Sequence, residues 1–190
     1  VLARFRSLVR SVASRRGVLV GKWLGDGVML VGEGEPTAAT VLELHWRSLR
    51  ACAPLVLRSG LAQGPVMLFE GDDYIGSAVN LAARLCERAN PLEMLADAEV
   101  ARAAPRWARG IAAPDADIRG FTDPVEVWRL VRTAPDIAHM TDPVCTLPLS
   151  PEYVADTRPV GEETVGFCSS SCAAAWDSGL AAALREPAVA

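Results

Sequence analysis

The first 131 residues alternate between a helical and a strand-like hydrophobic period. An apolar stripe at helical spacing predicts a helix at the start of the chain; it consists of Phe5, Leu8, Val9 and Val12. Two β-rich runs, 18–24 and 28–32, meet at Gly25-Asp26-Gly27, which predicts a hairpin. The other predicted elements are a helix over 37–52, a strand pair from 55–61 and 66–69, a helix over 75–89, a short strand near 94, a helix near 97–103 and a strand over 125–131. Helices and hairpins that alternate around one sheet make an α+β domain.

The helix predicted from Ile75 to Ala89 has two distinct faces. Asn80 and Arg84 are four residues apart, so they point the same way from one face. Such a pair alone is typical of a solvated helix surface, but the acidic loop before this helix favours a functional one. The predicted apolar face consists of Ile75, Val79, Ala82 and Cys86.

The composition of the chain changes after residue 133. Prolines recur at 143, 148, 151 and 159, and three of the five cysteines cluster there. We therefore expect a first domain over 1–133, a linker over 134–139, a small module over 140–180 and a flexible tail over 181–190.

Composition and charge limit the classes of function. The net charge of −4 gives no reason to expect nucleic acid as a partner, and no apolar run is long enough to span a bilayer. The arginine-rich residues 1–16 resemble a transit peptide in composition, but their apolar stripe favours a helix of the domain. The odd number of cysteines favours a reducing compartment, and we expect a cytoplasmic protein.

The charged residues of the first domain include an unusual set. Lys22 is the only lysine, and it stands four residues before Asp26. Together with Asp73, Asn80 and Arg84, these groups could bind a purine, a metal ion and a phosphate. Lysine only donates hydrogen bonds and ionised aspartate only accepts them, so the set offers both kinds of polar partner. The alternative for Asp26 is that it only supplies turn chemistry.

Four ordered motifs carry a resemblance to a known family. They are the Lys22–Asp26 hairpin, Gly60-x3-Gly64-Pro65-Val66, Gly76-x2-Val79-Asn80-x-Ala82-x-Arg84 and Arg119-Gly120-x3-Pro124-Val125-x-Val127. With these motifs, residues 1–131 resemble the class III adenylate/guanylate cyclase domain without its first strand and helix. The resemblance implies a ferredoxin-like fold, with active sites at the interface of a head-to-tail homodimer that converts ATP to cyclic AMP and pyrophosphate.

The resemblance also implies a role for each residue. Lys22 and Asp73 would select adenine, and Asp26 would bind Mg²⁺ or Mn²⁺. Asn80 would orient the ribose, and Arg84 would stabilise charge on the α-phosphate. Arg119 matches a basic group near the terminal phosphates, although an exposed arginine fits that position equally well.

One departure from the family bears on activity. The family uses two metal-binding aspartates, whereas residues 1–25 contain no Asp or Glu. We therefore expect little or no cyclase activity from this chain. The alternative function is an inactive cyclase-fold protein that dimerises or senses a metal.

The cysteines of the second part predict a metal site. Cys145, Cys168 and Cys172 follow the spacing Cys-x22-Cys-x3-Cys, and three thiolates suit zinc, copper(I) or iron. A disulfide or simple burial of the thiols is the alternative. With Asp-Pro-Val before the first cysteine, this segment resembles the YHS/TRASH metal-binding modules. The candidates for a fourth ligand are His139, Asp142 and water, while Cys52 and Cys86 are expected to be small buried hydrophobes.

Overall fold

The computed structural model describes residues 1–71, 73–133, 140–145, 147–149, 151–161 and 163–179. Two compact units make up the chain, Val1–Arg132 and Thr133–Ala190. The α+β class predicted from the sequence is confirmed, because both units combine helices with short β-strands. The predicted linker 134–139 and tail 181–190 lie outside the described residues.

Unit 1 contains four helices and eight strands in its described part. The helices are α1 Leu2–Arg15, α2 Gly34–Ala51, α3 Ser77–Arg88 and α4 Ala98–Arg102. The strands are β1 Leu19–Leu24, β2 Gly27–Val31, β3 Ser59–Leu61, β4 Met67–Phe69, β5 Asp73–Ile75, β6 Met94–Asp97, β7 Ala108–Ala112 and β8 Val127–Arg132.

A four-stranded sheet organises the second half of unit 1. Its strand order is β3-β6-β8-β7, with β3 and β6 parallel and the other pairs antiparallel. Parallel neighbours need a crossover, and α3 lies in the segment that supplies it. Gly60 allows α3 to cross β3 closely, because a β carbon there would overlap the carbonyl oxygen of Ala82 and the amide nitrogen of Cys86.

Two hairpins remain separate from that sheet, so the expectation of a single sheet is wrong. β1 pairs with β2 as predicted. The predicted pairing of 55–61 with 66–69 is wrong, because β3 pairs with β6 and β4 pairs with β5. Residues 73–75 extend as a strand before α3 begins at Ser77. Gly76 separates the two elements at φ 155°, and a β carbon there would be 2.5 Å from the Pro65 carbonyl oxygen.

The buried face of α3 also differs from the predicted one. Ile75 precedes the helix and is 41% exposed, and Val79, Ala82 and Cys86 are only half-buried. The helix instead buries Ala78, Leu81 and Leu85. Leu81 and Leu85 pack in a core cluster with Leu95, Val127 and the 116–118 segment, so the sheet decides which face is covered.

The helix α1 packs through its predicted apolar stripe. Its four residues join a second core cluster, which α2 completes with Leu44 and which the β1–β2 hairpin borders. Beside this cluster, Glu43 of α2 forms buried ion pairs with Arg15 and Arg16 at the end of α1. No helix in the described ranges has both the length and the apolar composition required to cross a membrane.

Unit 2 consists of two small hairpins and one helix in its described part. β9 Met140–Thr141 pairs with β10 Pro148–Leu149, and β11 Asp156–Val160 pairs with β12 Glu163–Phe167. A 3₁₀ turn covers Pro151–Tyr153, and α5 spans Ser170–Asp177. The ring of Phe167 on β12 packs against that of Trp176 on α5, with centroids 5.9 Å apart.

Candidate functional site

An ion pair joins β1 to β5 on the surface of unit 1. The Nζ atom of Lys22 lies 3.2 Å from Oδ2 of Asp73, and the two side chains are 40% and 45% exposed. The Tyr74 backbone N–H donates to Oδ1 of Asp73 at 2.9 Å. The hydrogen bond from Lys22, followed by that from Tyr74, lowers the pKa of Asp73. A cationic donor and an anionic acceptor therefore stand side by side where solvent and ligands can reach them.

The local fold explains why these two residues meet although 51 positions separate them. Gly21 lies next to Lys22 on β1 and faces the ring of Tyr74. A β carbon at Gly21 would be 3.3 Å from Cε2 of Tyr74, so a small residue lets β5 approach β1.

The structure places Asn80 and Arg84 on α3, as predicted. Asn80 is exposed, and its Nδ2 lies 3.5 Å from where a β carbon of Gly120 would be. Nη1 of Arg84 donates to Oε2 of Glu87 at 2.8 Å. Nε of Arg84 is buried and has no hydrogen-bond partner among the described residues. Arg84 is thus held by one carboxylate and retains an unused donor.

An open cavity of about 210 Å³ lies beside Arg84. It brings Arg84 together with Arg119, as needed if both contact phosphates. The full lining is Arg84, Glu87, Arg88, Asp117, Ile118 and Arg119. The sequence analysis missed Glu87, Arg88 and Asp117, although the spacing of Glu87 from Arg84 is that of a helical ion pair and could have indicated the first contact.

Asp26 occupies the turn of the β1–β2 hairpin. Leu24 pairs with Gly27, which leaves Gly25 and Asp26 as the two turn residues, and Gly25 has φ 66°. A glycine at the first central position is typical of a type II′ turn. Two arginines of α1 hold this turn: Arg6 donates to the Gly25 carbonyl oxygen at 3.2 Å, and Arg6 and Arg10 stack on the Trp23 ring at 5.1 and 5.5 Å.

The environment of Asp26 tests the predicted Mg²⁺ or Mn²⁺ site. Asp26 is exposed and belongs to no cluster of three or more potential metal ligands in the described ranges. A single carboxylate does not make a two-metal site. It can supply one ligand to a divalent ion that arrives with nucleotide phosphates, which is how Mg²⁺ is commonly bound.

The three cysteines of unit 2 converge at one point. Sγ of Cys145 lies 3.5 Å from Sγ of Cys168, which lies 3.6 Å from Sγ of Cys172. All three are buried and none forms a disulfide, so the disulfide alternative is not what the structure contains. A tetrahedral zinc with Zn–S bonds of about 2.3 Å would place sulfurs ~3.8 Å apart. The observed spacing therefore fits a shared soft metal ion with little rearrangement.

Asp142 completes this cluster, with its ligand oxygen and the three sulfurs all within 4.8 Å of one another. Its Oδ1 accepts from the backbone N–H groups of Val144 and Cys145, and its Oδ2 accepts from that of Cys168. Burial raises the pKa of Asp142, and it raises the pKa of the Cys145 thiol well above the usual value. His139 lies outside the described residues.

Comparisons with known proteins bear mainly on unit 1. No protein-family model matches the chain. An uncharacterized protein of Mycobacterium tuberculosis and one of Mycobacterium bovis are each 34% identical over 131 residues, which is 68% of this chain. The chain spans only 34% of the length of these relatives.

Solved structures similar to this chain are catalytic domains of nucleotide cyclases. The adenylyl cyclase CyaB from P. aeruginosa has a TM-score of 0.57 at 22% identity, over 72% of this chain and 83% of that one. An adenylate cyclase from Trypanosoma brucei has a TM-score of 0.60 at 20% identity, over 68% and 78%. This chain has the fold of a nucleotide cyclase domain.

One of the similar solved structures contains a bound nucleotide analogue. The catalytic core of a rhodopsin-guanylyl cyclase with converted specificity, solved with ATPαS, has a TM-score of 0.60 at 17% identity, over 69% of this chain and 80% of that one. Similarity at this level establishes the cyclase fold of the chain, whereas the choice of nucleotide depends on the residues at the site.

Proposed function

We propose that unit 1 is an adenylate cyclase-type domain that binds ATP and forms cyclic AMP and pyrophosphate in intracellular signalling. The observation that carries this proposal is the exposed Lys22–Asp73 pair at 3.2 Å. Adenine presents a ring nitrogen acceptor and an amino donor where guanine presents a ring N–H donor and a carbonyl acceptor. Lys22 can donate to the first and Asp73 can accept from the second, so guanine would leave both groups opposed by like partners.

The remaining residues would contact the sugar and the phosphates of ATP. Asn80 orients the ribose, and Arg84 uses its guanidinium to stabilise charge on the α-phosphate as the ribose 3′-oxygen attacks and pyrophosphate leaves. Such a donor contributes on the order of 3–4 kcal/mol to transition-state stabilisation. Arg119 shares the cavity with Arg84 and would contact the terminal phosphates. Asp26 is the residue that would bind a divalent ion, which would neutralise charge on the substrate phosphates.

Two copies of the chain are proposed to pair head to tail. The β4–β5 hairpin, which carries Asp73, exposes Met67, Leu68 and Phe69 at 59%, 54% and 47%. Contiguous exposed apolar side chains of this kind mark interaction surfaces. Burial of this hairpin by a second copy would bring the partner's surface next to the Lys22–Asp73 pair. Leu68→Glu should therefore weaken self-association in sedimentation experiments and reduce ATP binding with it.

Nucleotide titration with ATP and GTP in the presence of Mn²⁺ tests the base selectivity. Wild-type protein should prefer ATP at least tenfold. Asp73→Asn should reduce this preference about tenfold, because an amide can accept from adenine or donate to guanine. Asp115→Asn, at an exposed position outside the cavity, is the matched control and should leave the preference unchanged. Equal binding of ATP and GTP by the wild type would refute the proposed selectivity.

Turnover is a separate test. We expect the 190-residue chain by itself to form little cyclic AMP, because the family uses two metal-binding aspartates and residues 1–25 contain no Asp or Glu that could accompany Asp26. This observation also favours the second candidate function, an inactive cyclase-fold protein that binds nucleotide and dimerises. Robust cyclic AMP formation with Mn²⁺ and ATP would exclude that second function. If turnover is measurable, Asp26→Ala should abolish it.

Unit 2 is proposed to be a YHS-like metal-binding module that holds zinc, copper(I) or iron through Cys145, Cys168 and Cys172. The support is the convergence of three buried thiols with sulfurs 3.5 and 3.6 Å apart. Because thiols remain reduced in a reducing compartment, we propose a cytoplasmic location. Native mass spectrometry should detect one bound metal ion, and its removal by a chelator should expose three thiols to alkylation. Rapid alkylation of all three before chelation would contradict the module's function.

A further inference from the structure

The carboxylate of Asp142 connects two distant segments of unit 2. The side chain is fully buried, and it accepts the Val144 N–H at 2.8 Å and the Cys145 N–H at 3.1 Å through Oδ1. Through Oδ2 it accepts the Cys168 N–H at 2.8 Å. Cys145 and Cys168 are 23 residues apart in sequence, so one carboxylate fixes the backbone of two of the three thiols.

We propose that Asp142 is a positioning residue of the metal site and not one of its ligands. This inference rests on the metal-binding function proposed for unit 2. Backbone N–H groups that lose their acceptor in a buried site cost about 1–3 kcal/mol each. A metal ion that drew Oδ2 away from Cys168 would impose that cost and would loosen the segment that carries a thiolate ligand.

The same geometry makes Asp142 an organiser of the segments that carry the three thiols. The bond to Cys145 closes a short turn within 142–145, and the bond to Cys168 ties that turn to the end of β12. Ser169 then begins α5 by accepting the Cys172 N–H at 3.3 Å, which sets the third thiol. These backbone hydrogen bonds hold the thiol-bearing segments together, and three sulfurs serve as ligands, with the fourth position left to another group.

The substitution Asp142→Asn tests the hydrogen bond to Cys168 separately from those to Val144 and Cys145. The amide oxygen can still accept from Val144 and Cys145, whereas the amide nitrogen would oppose the Cys168 N–H as donor against donor. The variant should therefore release Cys168 while the Cys145 turn persists. Asp177→Asn is the matched control. Asp177 is a half-exposed carboxylate of the same unit, and it binds the guanidinium of Arg158 instead of a backbone N–H next to a thiol.

The experiment uses the 190-residue chain and Co²⁺ as the probe, with two readouts. In metal-free protein, alkylation followed by peptide mass spectrometry should show faster modification of Cys168 in Asp142→Asn than in the wild type or the control. In Co²⁺ titrations, Asp142→Asn should bind 10–100-fold more weakly, the usual effect of losing an outer hydrogen-bonding partner. Its absorption spectrum at saturation should match the wild type, because the ligands are the same.

The outcomes separate the inference from the function on which it rests. A changed Co²⁺ spectrum at saturation, or unchanged affinity and unchanged Cys168 reactivity, would overturn the positioning role. If the wild type binds no Co²⁺, the metal-binding function fails, while the alkylation readout still tests the hydrogen-bond arrangement. If Asp142→Asn does not fold, a crystal structure of the zinc-loaded wild type decides: an Asp142 oxygen about 2.0–2.2 Å from zinc would refute the proposal.

Discussion

Replacing Glu43 with alanine should cause a large loss of stability in unit 1. Glu43 is 3% exposed and binds two side chains at the end of α1, Arg15 and Arg16, which are 1% and 0% exposed. Removing one partner of a buried ion pair typically costs about 3–5 kcal/mol, because the remaining charge loses its compensation. Glu43 is the carboxylate that both of these guanidinium groups share, so we expect a value in that range.

The predicted size can be measured by thermal unfolding. Unit 1 spans Val1–Arg132, and an unfolding entropy of about 2.1 cal/mol/K per residue gives a Tm decrease of roughly 11–18 °C for this loss. Arg47→Ala is the internal control. Arg47 lies four residues after Glu43 on α2 and binds the same carboxylate, but its side chain is 33% exposed. That pair should contribute only about 0.3–0.5 kcal/mol. Equal effects of Glu43→Ala and Arg47→Ala would refute the reasoning that burial decides the cost.

Three further predictions follow from other contacts in unit 1. Gly60→Ala should destabilise unit 1 by about 3 kcal/mol or more in denaturant unfolding, whereas Gly27→Ala, whose β carbon would meet nothing closer than 3.4 Å, should be tolerated. Burial lowers the pKa of His45 from 6.5 to about 4, so between these pH values His45 is protonated in the unfolded state and neutral in the folded state. The free energy of unfolding should therefore fall by up to about 3 kcal/mol as the pH decreases from 6.5 to about 4. His45→Gln should flatten this dependence of stability on pH. Glu87→Gln removes the carboxylate that pairs with Arg84 at 2.8 Å and competes with a phosphate for it, so ATP should bind about twofold more tightly. Glu99→Gln, in the equivalent pair with Arg102, is the control. An unchanged affinity of Glu87→Gln for ATP would contradict this competition.

Elements with a strong local signal were predictable from the sequence. The α1 stripe, the hairpin around Asp26 and the helix after Gly76 all depend on nearby residues, and the structure contains each of them. The strands that were missed or mispaired are short or weakly patterned. β5 has three residues and adjoins a helix, and β7 includes an arginine and a glycine and buries none of its residues fully.

Long-range pairing explains most of the remaining differences. Three-residue β3 looked like the partner of the next run along the chain, but its parallel partner β6 lies beyond an entire helix. The predicted buried face of α3 is wrong for the same reason, since the sheet and the 116–118 segment cover Leu81 and Leu85 and not the predicted face. Local periodicity identifies an apolar face, but the partner that covers it is set by topology.

The sites differ in how much of their chemistry a sequence can reveal. The contact between Lys22 and Asp73 joins two strands far apart in the sequence, beside a close approach of Gly21 to Tyr74, and residue types alone implied it only through the family resemblance. At the cysteine site, the sequence indicated three thiol ligands by spacing but gave Asp142 only as a possible fourth. Its three backbone N–H donors become visible only when 142–145 and 168 are brought together. An aspartate beside metal-binding cysteines is therefore ambiguous in sequence between ligand and organiser, and the three backbone hydrogen bonds that Asp142 accepts are the observation that favours the proposed organiser role.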